Sequence, residues 1–220
     1  CEALKEKILH KAAKYLETGA EELEFDGKRV YKLACEADGT RKEITIKDLA
    51  NRVQCANEDA LQVTQSHSSP ISPPPFMAGA AEVEVDLETG QVELIKFAAA
   101  VDCGTPLNEN LARVQTEGGL VQGIGMALYE DVSYSKDGKV HENSFMQYKV
   151  PSRLDVGRVQ VEFESSFEPT GPFGAKSIGE VVINTPSPAI ANAVYNAVGV
   201  RIRELPITAE KVFKGMNGLD

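Results

Sequence analysis

The spacing of apolar and polar residues predicts a helix and a small hairpin at the start of the chain. Apolar residues recur at helical spacing over Glu2–Glu17, and Gly19 follows as the expected stop. Short apolar stretches on both sides of Asp26–Gly27 predict two strands joined by a turn. Ile44–Val53 then predicts a brief strand that runs directly into a helix.

A Ser- and Pro-rich segment interrupts these patterns. It contains the sequence SHSSPISPPPF, and its prolines fit neither a helix interior nor a central strand. We therefore predict a long loop over residues 57–80. This loop is either a linker between domains 1–56 and 81–220 or part of one continuous domain, and the pattern leaves both interpretations open.

The second half of the chain combines hairpin, strand and helix patterns. Apolar and acidic residues alternate in AAEVEVD, and the turn residues of LETG lead into a second strand over 91–100. Val159–Phe163 predicts another strand, and Thr185–Val198 predicts a C-terminal helix that stops at Gly199. With a long glycine-containing helix, these elements predict an α+β fold in which a mixed sheet and hairpins pack against the two helices.

The long helix is predicted over Thr105–Tyr129, with Pro106 in its first turn. A glycine costs about 1 kcal/mol relative to alanine in a helix interior, so several of them require a compensating close contact. The face that holds Gln115, Gly118 and Gln122 combines two amides with bare backbone. Tight helix packing and the close approach of a cofactor both explain this pattern. The four glycines of the helix are Gly118, Gly119, Gly123 and Gly125.

Charge and composition exclude several classes of function. The net charge of −10 gives no basic field for nucleic acid or an anionic membrane. No apolar run is long enough to cross a bilayer, so we expect a cytoplasmic protein. The four cysteines lack the spacing of a zinc site, so we expect no metal bound by the chain's own side chains. Because Cys1 leads at once into a helical pattern, we expect a piece of a longer polypeptide.

The segment GPFGAKSIGE, residues 171–180, contains the most chemical information. It resembles a phosphate-binding loop, but glycines are missing from the required positions. The pattern leaves an exposed Lys176 and Ser177 on a flexible turn, followed by Glu180 beside apolar residues. A poorly hydrated carboxylate would be a useful base, whereas a surface glutamate would only open a helix. These residues alone do not decide between the two interpretations.

Six segments together resemble the carboxyl-terminal part of the molybdenum-binding subunit of the molybdenum hydroxylases, the xanthine dehydrogenase and aldehyde oxidase family. They occur in the same order as in that family, within the run Ala81–Phe213, which covers more than half of the chain. The form of the sequence after GE resembles the bacterial members. The segments are EVEVDLETGQVEL, VDCGTPLNE, VQTEGGLVQGIGMALYED, KVPSRLD, GAKSIGE and NTPSPAIANAVYNAVGVRIRELPITAEKV.

The resemblance implies a role for each of these candidate residues. It makes Glu180 the catalytic base, which takes a proton from a hydroxyl or water on molybdenum. The oxygen then attacks an electron-poor carbon of an aldehyde or N-heterocycle while hydride passes to a sulfido ligand. It also implies that Gln115 hydrogen-bonds the pterin cofactor, and that Lys176, Ser177 and Gly179 form the turn beside it.

The resemblance further implies a molybdenum-pterin cofactor, with or without a nucleotide, shared with upstream sequence of the same subunit. Iron–sulfur and FAD groups are expected on other modules. We expect a xanthine or purine dehydrogenase-like oxidoreductase that hydroxylates an N-heterocycle using water, with this fragment inactive alone. A hydroxylase of aldehydes or nicotinate-like rings is one alternative. A non-catalytic assembly or binding module is the other.

Overall fold

The computed structural model describes residues 1–219 and divides into two compact units, Cys1–Ser68 and Ser69–Asp220. Each unit contains both helices and strands, which confirms the predicted α+β class. Across the described residues, every helix is too short or too polar to cross a lipid bilayer.

The first unit is a three-stranded antiparallel sheet with two helices. Its strands are β1 (Leu23–Phe25), β2 (Arg29–Lys32) and β3 (Glu43–Thr45), paired in that order. Helices α1 (Glu2–Leu16) and α2 (Ile46–Cys55) contribute apolar side chains to the core, as their helical spacing predicts. The core residues are Ile8, Ala12, Leu16, Leu23, Val30, Ile44, Leu49 and Val53.

The second unit contains a mixed three-stranded sheet in the order β4 (Phe76–Val85), β5 (Val92–Asp102) and β6 (Arg158–Phe163). The pair β4 and β5 is antiparallel, and β6 runs parallel to β5. The loop predicted over 57–80 is therefore too long, because Phe76–Ala80 already belongs to β4. Alanine and glycine dominate that stretch, and their weak strand preference hides it from the sequence pattern.

Four helices accompany this sheet: α3 (Glu109–Leu128), α4 (Val181–Asn184), α5 (Pro186–Val198) and α6 (Ala209–Met216). Helix α5 lies against β4 and α3, and α3 also contacts α4. The fully buried side chains Phe97, Leu120 and Ile190 belong to the core that joins sheet and helices. The helices predicted over Thr105–Tyr129 and Thr185–Val198 correspond to α3 and α5. The sequence does not predict α4 or α6.

Two helix ends differ from the predictions because local backbone geometry ends or starts the helix elsewhere. Glu17, with left-handed φ of 52°, ends α1 before Gly19 is reached. Helix α3 starts after Asn108, whose Oδ1 accepts a hydrogen bond from the Leu111 N–H at 3.0 Å. Pro106 thus precedes α3 instead of lying in its first turn.

Candidate functional site

The glycines of α3 divide into two groups by what surrounds them. A methyl group at Gly119 would overlap Val182, and one at Gly123 would lie 2.7 Å from Cγ of Pro186. Gly125 similarly faces Glu130 and Pro151. These three glycines allow close packing inside the unit. Gly118 differs, because a Cβ there would meet nothing within 4 Å.

Gly118 lies on an open groove between α3 and the start of α4, which we call the α3 groove. Its volume is about 390 Å³. One wall is formed by α3 and the other by the segment 179–183. The α3 groove therefore brings together the glutamine face of the helix and the end of the GAKSIGE segment. Its lining residues are Val114, Gln115, Gly118, Gly119, Gln122, Gly179, Glu180 and Ile183.

A second cavity of about 480 Å³ adjoins the α3 groove and shares Gln115 and Gly179 with it. It extends along the first turns of α3 toward Cys103 and Lys176. Gln115 and Gly179 are thus accessible from both sides. The two cavities therefore lie side by side and form a depression between α3 and the segment 175–183.

Glu180 lies at the entrance to α4 and lines the α3 groove. Its backbone is helical, and its side chain does not cap the helix. Within residues 1–219 the carboxylate has neither a hydrogen-bond donor nor an ion-pair partner. The residue is exposed, so of the two interpretations that the sequence left open, this chain by itself shows the solvated carboxylate.

The amides of α3 have similarly open surroundings. Gln115 and Gln122 are both exposed, and both line the α3 groove. Leu111 and Val114 lie on the same side of the helix with 67% and 65% of their surfaces exposed. This combination of apolar side chains and amides suits a flat, polar-edged ligand or a covering polypeptide better than bulk water.

Lys176 differs from its predicted setting. The sequence predicts an exposed lysine, but only 9% of its side chain is exposed, and that prediction is wrong. Its Nζ lies 2.6 Å from Oδ2 of Asp102, the last residue of β5. The charged pair forms because the turn folds back against the end of the central strand.

Asp102 is the residue of this region that the sequence analysis missed. Its Oδ1 accepts hydrogen bonds from Ser166 Oγ at 2.6 Å and from the Gly104 N–H at 2.9 Å. The hydrogen bond from the Lys176 ammonium, supported by Ser166, lowers the pKa of Asp102 to about 2. The only local signal was a carboxylate at the end of an apolar strand, and its partners are distant in sequence.

Backbone hydrogen bonds hold the same turn against the end of β5. The N–H of Lys176 donates to the carbonyl of Cys103 at 2.7 Å, and the N–H of Thr105 donates to the carbonyl of Gly174 at 2.7 Å. Gly174 has a φ of 84°, a conformation that favours glycine. This short ladder fixes where the turn begins.

Ser177 and Gly179 follow on the unanchored part of the turn. Ser177 is exposed and lines a third cavity with residues 69–73. A side chain at Gly179 would meet nothing within 4 Å. The structure thus brings Gln115, Gly179 and Glu180 to one groove, and it places Ser177 at the neighbouring opening.

Cys103 is a small buried side chain with only 3% of its surface exposed. Burial raises the pKa of its thiol. Among residues 1–219, no group of three or more His, Cys, Asp or Glu side chains is arranged to hold a metal ion.

Comparison with known proteins identifies relatives along the whole chain. A probable hypoxanthine oxidase of Escherichia coli K12, XdhD, is 33% identical over 217 residues, which is 98% of this chain. Glu180 lies within that aligned region. The chain spans only 22% of the length of XdhD, so it corresponds to about a fifth of that protein.

Two solved structures resemble the fold closely. CO dehydrogenase from Oligotropha carboxidovorans matches 99% of this chain with a TM-score of 0.80 and 26% identity, and the match covers 27% of that chain. Quinoline 2-oxidoreductase from Pseudomonas putida 86 matches 100% of this chain with a TM-score of 0.79 and 25% identity, over 29% of its own length.

The family model described as the molybdopterin cofactor-binding domain matches residues 1–157. This match covers more than half of the chain and includes α3 with its glutamine face, while the turn before Glu180 lies beyond it. The sequence and fold comparisons agree with this match. The chain belongs to the family of molybdopterin cofactor-binding domains found in molybdenum hydroxylases.

Proposed function

We propose that this chain supplies a general base and part of the pterin contacts of a molybdenum hydroxylase that oxidises an N-heterocycle with water. The observation that carries the proposal is the α3 groove. In it the unpaired carboxylate of Glu180 shares one surface with the amides of Gln115 and Gln122. The side chain of Glu180 has neither a hydrogen-bond donor nor an ion-pair partner among the described residues.

The residues of the groove fit a pterin on two grounds. Gly118 and Gly179 leave open space where side chains would otherwise project, so a flat ring system could approach the backbone. Amide side chains can both donate and accept hydrogen bonds, which suits the alternating donors and acceptors of a pterin edge. We propose Gln115, Gly179 and Ser177 as contacts, with Lys176 contributing through the turn that it begins.

Each proposed role follows from the chemistry of the side chain. When bound, the molybdenum cofactor supplies the two-electron acceptor for the oxidation. Glu180 Oε accepts the proton of the oxygen nucleophile that attacks the substrate carbon. Val114 and Ile183 line the same groove as Glu180, so a ligand in the groove would displace water from the carboxylate. A less hydrated carboxylate accepts a proton more readily.

The wider assembly is also part of the proposal. The two electrons must leave the site, so we propose iron–sulfur and FAD modules on other domains or subunits, and a location in the cytoplasm. We further propose that the rest of the same large subunit completes the cofactor site and that this chain alone is inactive. The short coverage of XdhD supports a larger functional unit.

The substrate class rests on the names of the relatives. They are named for hypoxanthine and quinoline, which are N-heterocycles, and for carbon monoxide. We therefore propose an N-heterocycle, with a purine as the first substrate to test. Nicotinate and an aromatic aldehyde are the comparison substrates. A non-catalytic assembly module is the second candidate function, and the exposed Leu111 and Val114 beside the groove favour it.

The decisive experiment replaces Glu180 with glutamine in the complete enzyme. Loss of the proton acceptor should lower kcat by roughly 10²-fold or more, while molybdenum and pterin content stay at the wild-type level. Glu204→Gln is the matched control, because Glu204 is an exposed glutamate outside the groove. Unchanged turnover in Glu180→Gln would remove the catalytic assignment and favour the assembly module.

A further inference from the structure

One charged side chain of the turn that leads to Glu180 is anchored inside the unit. Lys176 is the only residue of the segment Ala175–Glu180 whose side chain forms an ion pair among the described residues. Its ammonium lies 2.6 Å from Asp102 Oδ2 and 5.3 Å from the centre of the Phe76 ring. The lysine is therefore enclosed by the ends of two neighbouring strands, β4 and β5.

Asp102 connects this lysine to a further part of the unit. Its other oxygen binds Ser166, which follows β6, at 2.6 Å. The carboxylate thus joins the end of β5, the segment after β6 and the turn that carries Lys176. Only 20% of the Asp102 side chain is exposed, so the pair is mostly shielded from solvent. A shielded pair with additional hydrogen bonds holds its geometry better than a surface pair.

The turn is also anchored by apolar side chains on both sides of Glu180. Val182 is fully buried and packs against Gly119 of α3. Between Lys176 and Val182, Ile178 is partly buried and packs against the core, whereas the side chain of Glu180 has no partner among the described residues. The position of Glu180 along the α3 groove is therefore set by Lys176 and Ile178 on one side and by Val182 on the other.

We propose that Asp102 and Lys176 are positioning residues that hold the Ser177–Glu180 turn so that Glu180 faces the α3 groove. This inference rests on the proposed role of Glu180 and extends it to a pair outside the groove. The ammonium of Lys176 binds inward to Asp102, so its side chain acts through the turn. Asp102 acts through Lys176 and has no direct role in the chemistry.

The test uses the complete enzyme with four variants. Lys176→Met and Asp102→Asn each break the pair, and Lys176→Arg keeps the charge. The double variant Asp102→Asn with Lys176→Met removes both charges, which avoids leaving one shielded charge unpaired. The matched control is Lys214→Met, which breaks an exposed pair to Glu210 of 2.9 Å on α6.

Three measurements separate positioning from general stability. Hydrogen exchange should become about tenfold faster in a peptide covering residues 174–184 in the single and double variants, and stay unchanged in α6. The kcat should fall by about 10²-fold with little change in KM, because a displacement of about 1 Å costs this much. In the double variant, Tm should return toward wild type while kcat stays low. Lys176→Arg should recover part of the lost turnover.

Each possible outcome decides whether the Asp102–Lys176 pair positions Glu180. Wild-type exchange at residues 174–184 in Lys176→Met, or turnover that returns together with Tm in the double variant, would overturn the positioning role. If a single variant does not fold, hydrogen exchange at residues 174–184 and turnover are compared between the double variant and wild type. Unchanged turnover in Glu180→Gln would instead overturn the proposed function, and the exchange rates would still decide whether the pair holds the turn.

Discussion

Gly119 of α3 and Val182 of α4 approach so closely that a methyl group on Gly119 would overlap Cγ2 of the valine. Val182 is fully buried beneath the helix. This contact brings the backbone of α4 against α3 and thereby places Glu180, two residues earlier, beside the glutamine face. The glycine in the helix interior is thus explained by packing inside the unit.

The Gly119 contact predicts a coupled pair of substitutions. Gly119→Ala should lower the free energy of unfolding by about 1–3 kcal/mol through overpacking, despite the better helix propensity of alanine. Val182→Ala should lower it by about 1.5–3 kcal/mol by removing buried methyl groups. In the double variant the methyl group of the alanine occupies the space that the valine side chain vacates. Its loss in the free energy of unfolding should therefore be at least about 1 kcal/mol smaller than the sum of the two single losses. Urea unfolding followed by circular dichroism measures all three, and strict additivity would contradict the contact.

Gly118→Ala should behave in the opposite way to Gly119→Ala. Its Cβ meets open space, so the helix should gain up to about 1 kcal/mol in stability. If the pterin approaches the backbone at this position, the molybdenum and pterin content of the complete enzyme should fall severalfold. Met126→Ala, at an exposed residue of α3 outside the groove, is the control. Full cofactor content in Gly118→Ala would argue against close approach at this point.

Gln115→Leu keeps the side-chain size and removes both hydrogen-bonding groups. Because Gln115 is exposed and has no partner within residues 1–219, Tm should stay within the error of the measurement. One lost hydrogen bond of about 1.4 kcal/mol should weaken cofactor retention about tenfold. Cofactor release during dialysis measures this effect. Gln160→Leu, at an exposed position on β6, should release cofactor at the wild-type rate.

The ion pair of Asp102 predicts a dependence of stability on pH. Its pKa is lowered from the ordinary 3.8 to about 2, so the folded state favours the carboxylate. The stabilisation, about 2 kcal/mol, is complete above pH 3.8 and is lost as the pH falls toward 2. Urea unfolding at several acidic pH values should show a smaller acid-induced loss for Asp102→Asn than for wild type.

That comparison also separates Asp102 from other carboxylates. Glu58 in the first unit has a pKa lowered to about 2 by hydrogen bonds from Lys11 and Lys14, and it contributes to acid sensitivity in both proteins. The difference between wild type and Asp102→Asn therefore isolates one group. Parallel pH profiles for the two proteins would mean that the Asp102 pair does not stabilise the folded chain.

Local sequence patterns predicted the elements whose residues alternate or recur regularly. The hairpin β4 and β5 follows from the alternation of Val83 and Val85 with acidic residues, and α5 follows from its apolar face and the stop at Gly199. Phe76–Ala80 was missed because alanine and glycine give no strand signal. The parallel pairing of β6 with β5 is a long-range relationship that neither strand encodes alone.

Only part of the candidate site could be predicted from the sequence. The glutamine face of α3 could be predicted from helical spacing, and the resemblance supplied Glu180. The setting of Lys176 could not be predicted, because its partner Asp102 lies 74 positions earlier in the chain. The sequence also left the exposure of Glu180 undecided, because it does not show that an apolar neighbour such as Val182 turns inward and leaves the carboxylate uncovered.

The main-chain ladder between residues 103–105 and 174–176 has a consequence for how this protein can change. Its bonds join amide and carbonyl groups, so they do not depend on which side chains line the depression beyond them. Residues such as Leu111 and Val114 can therefore be substituted without changing the path of the backbone through the site. A library restricted to those positions could alter which molecules the protein accepts while the scaffold keeps its shape.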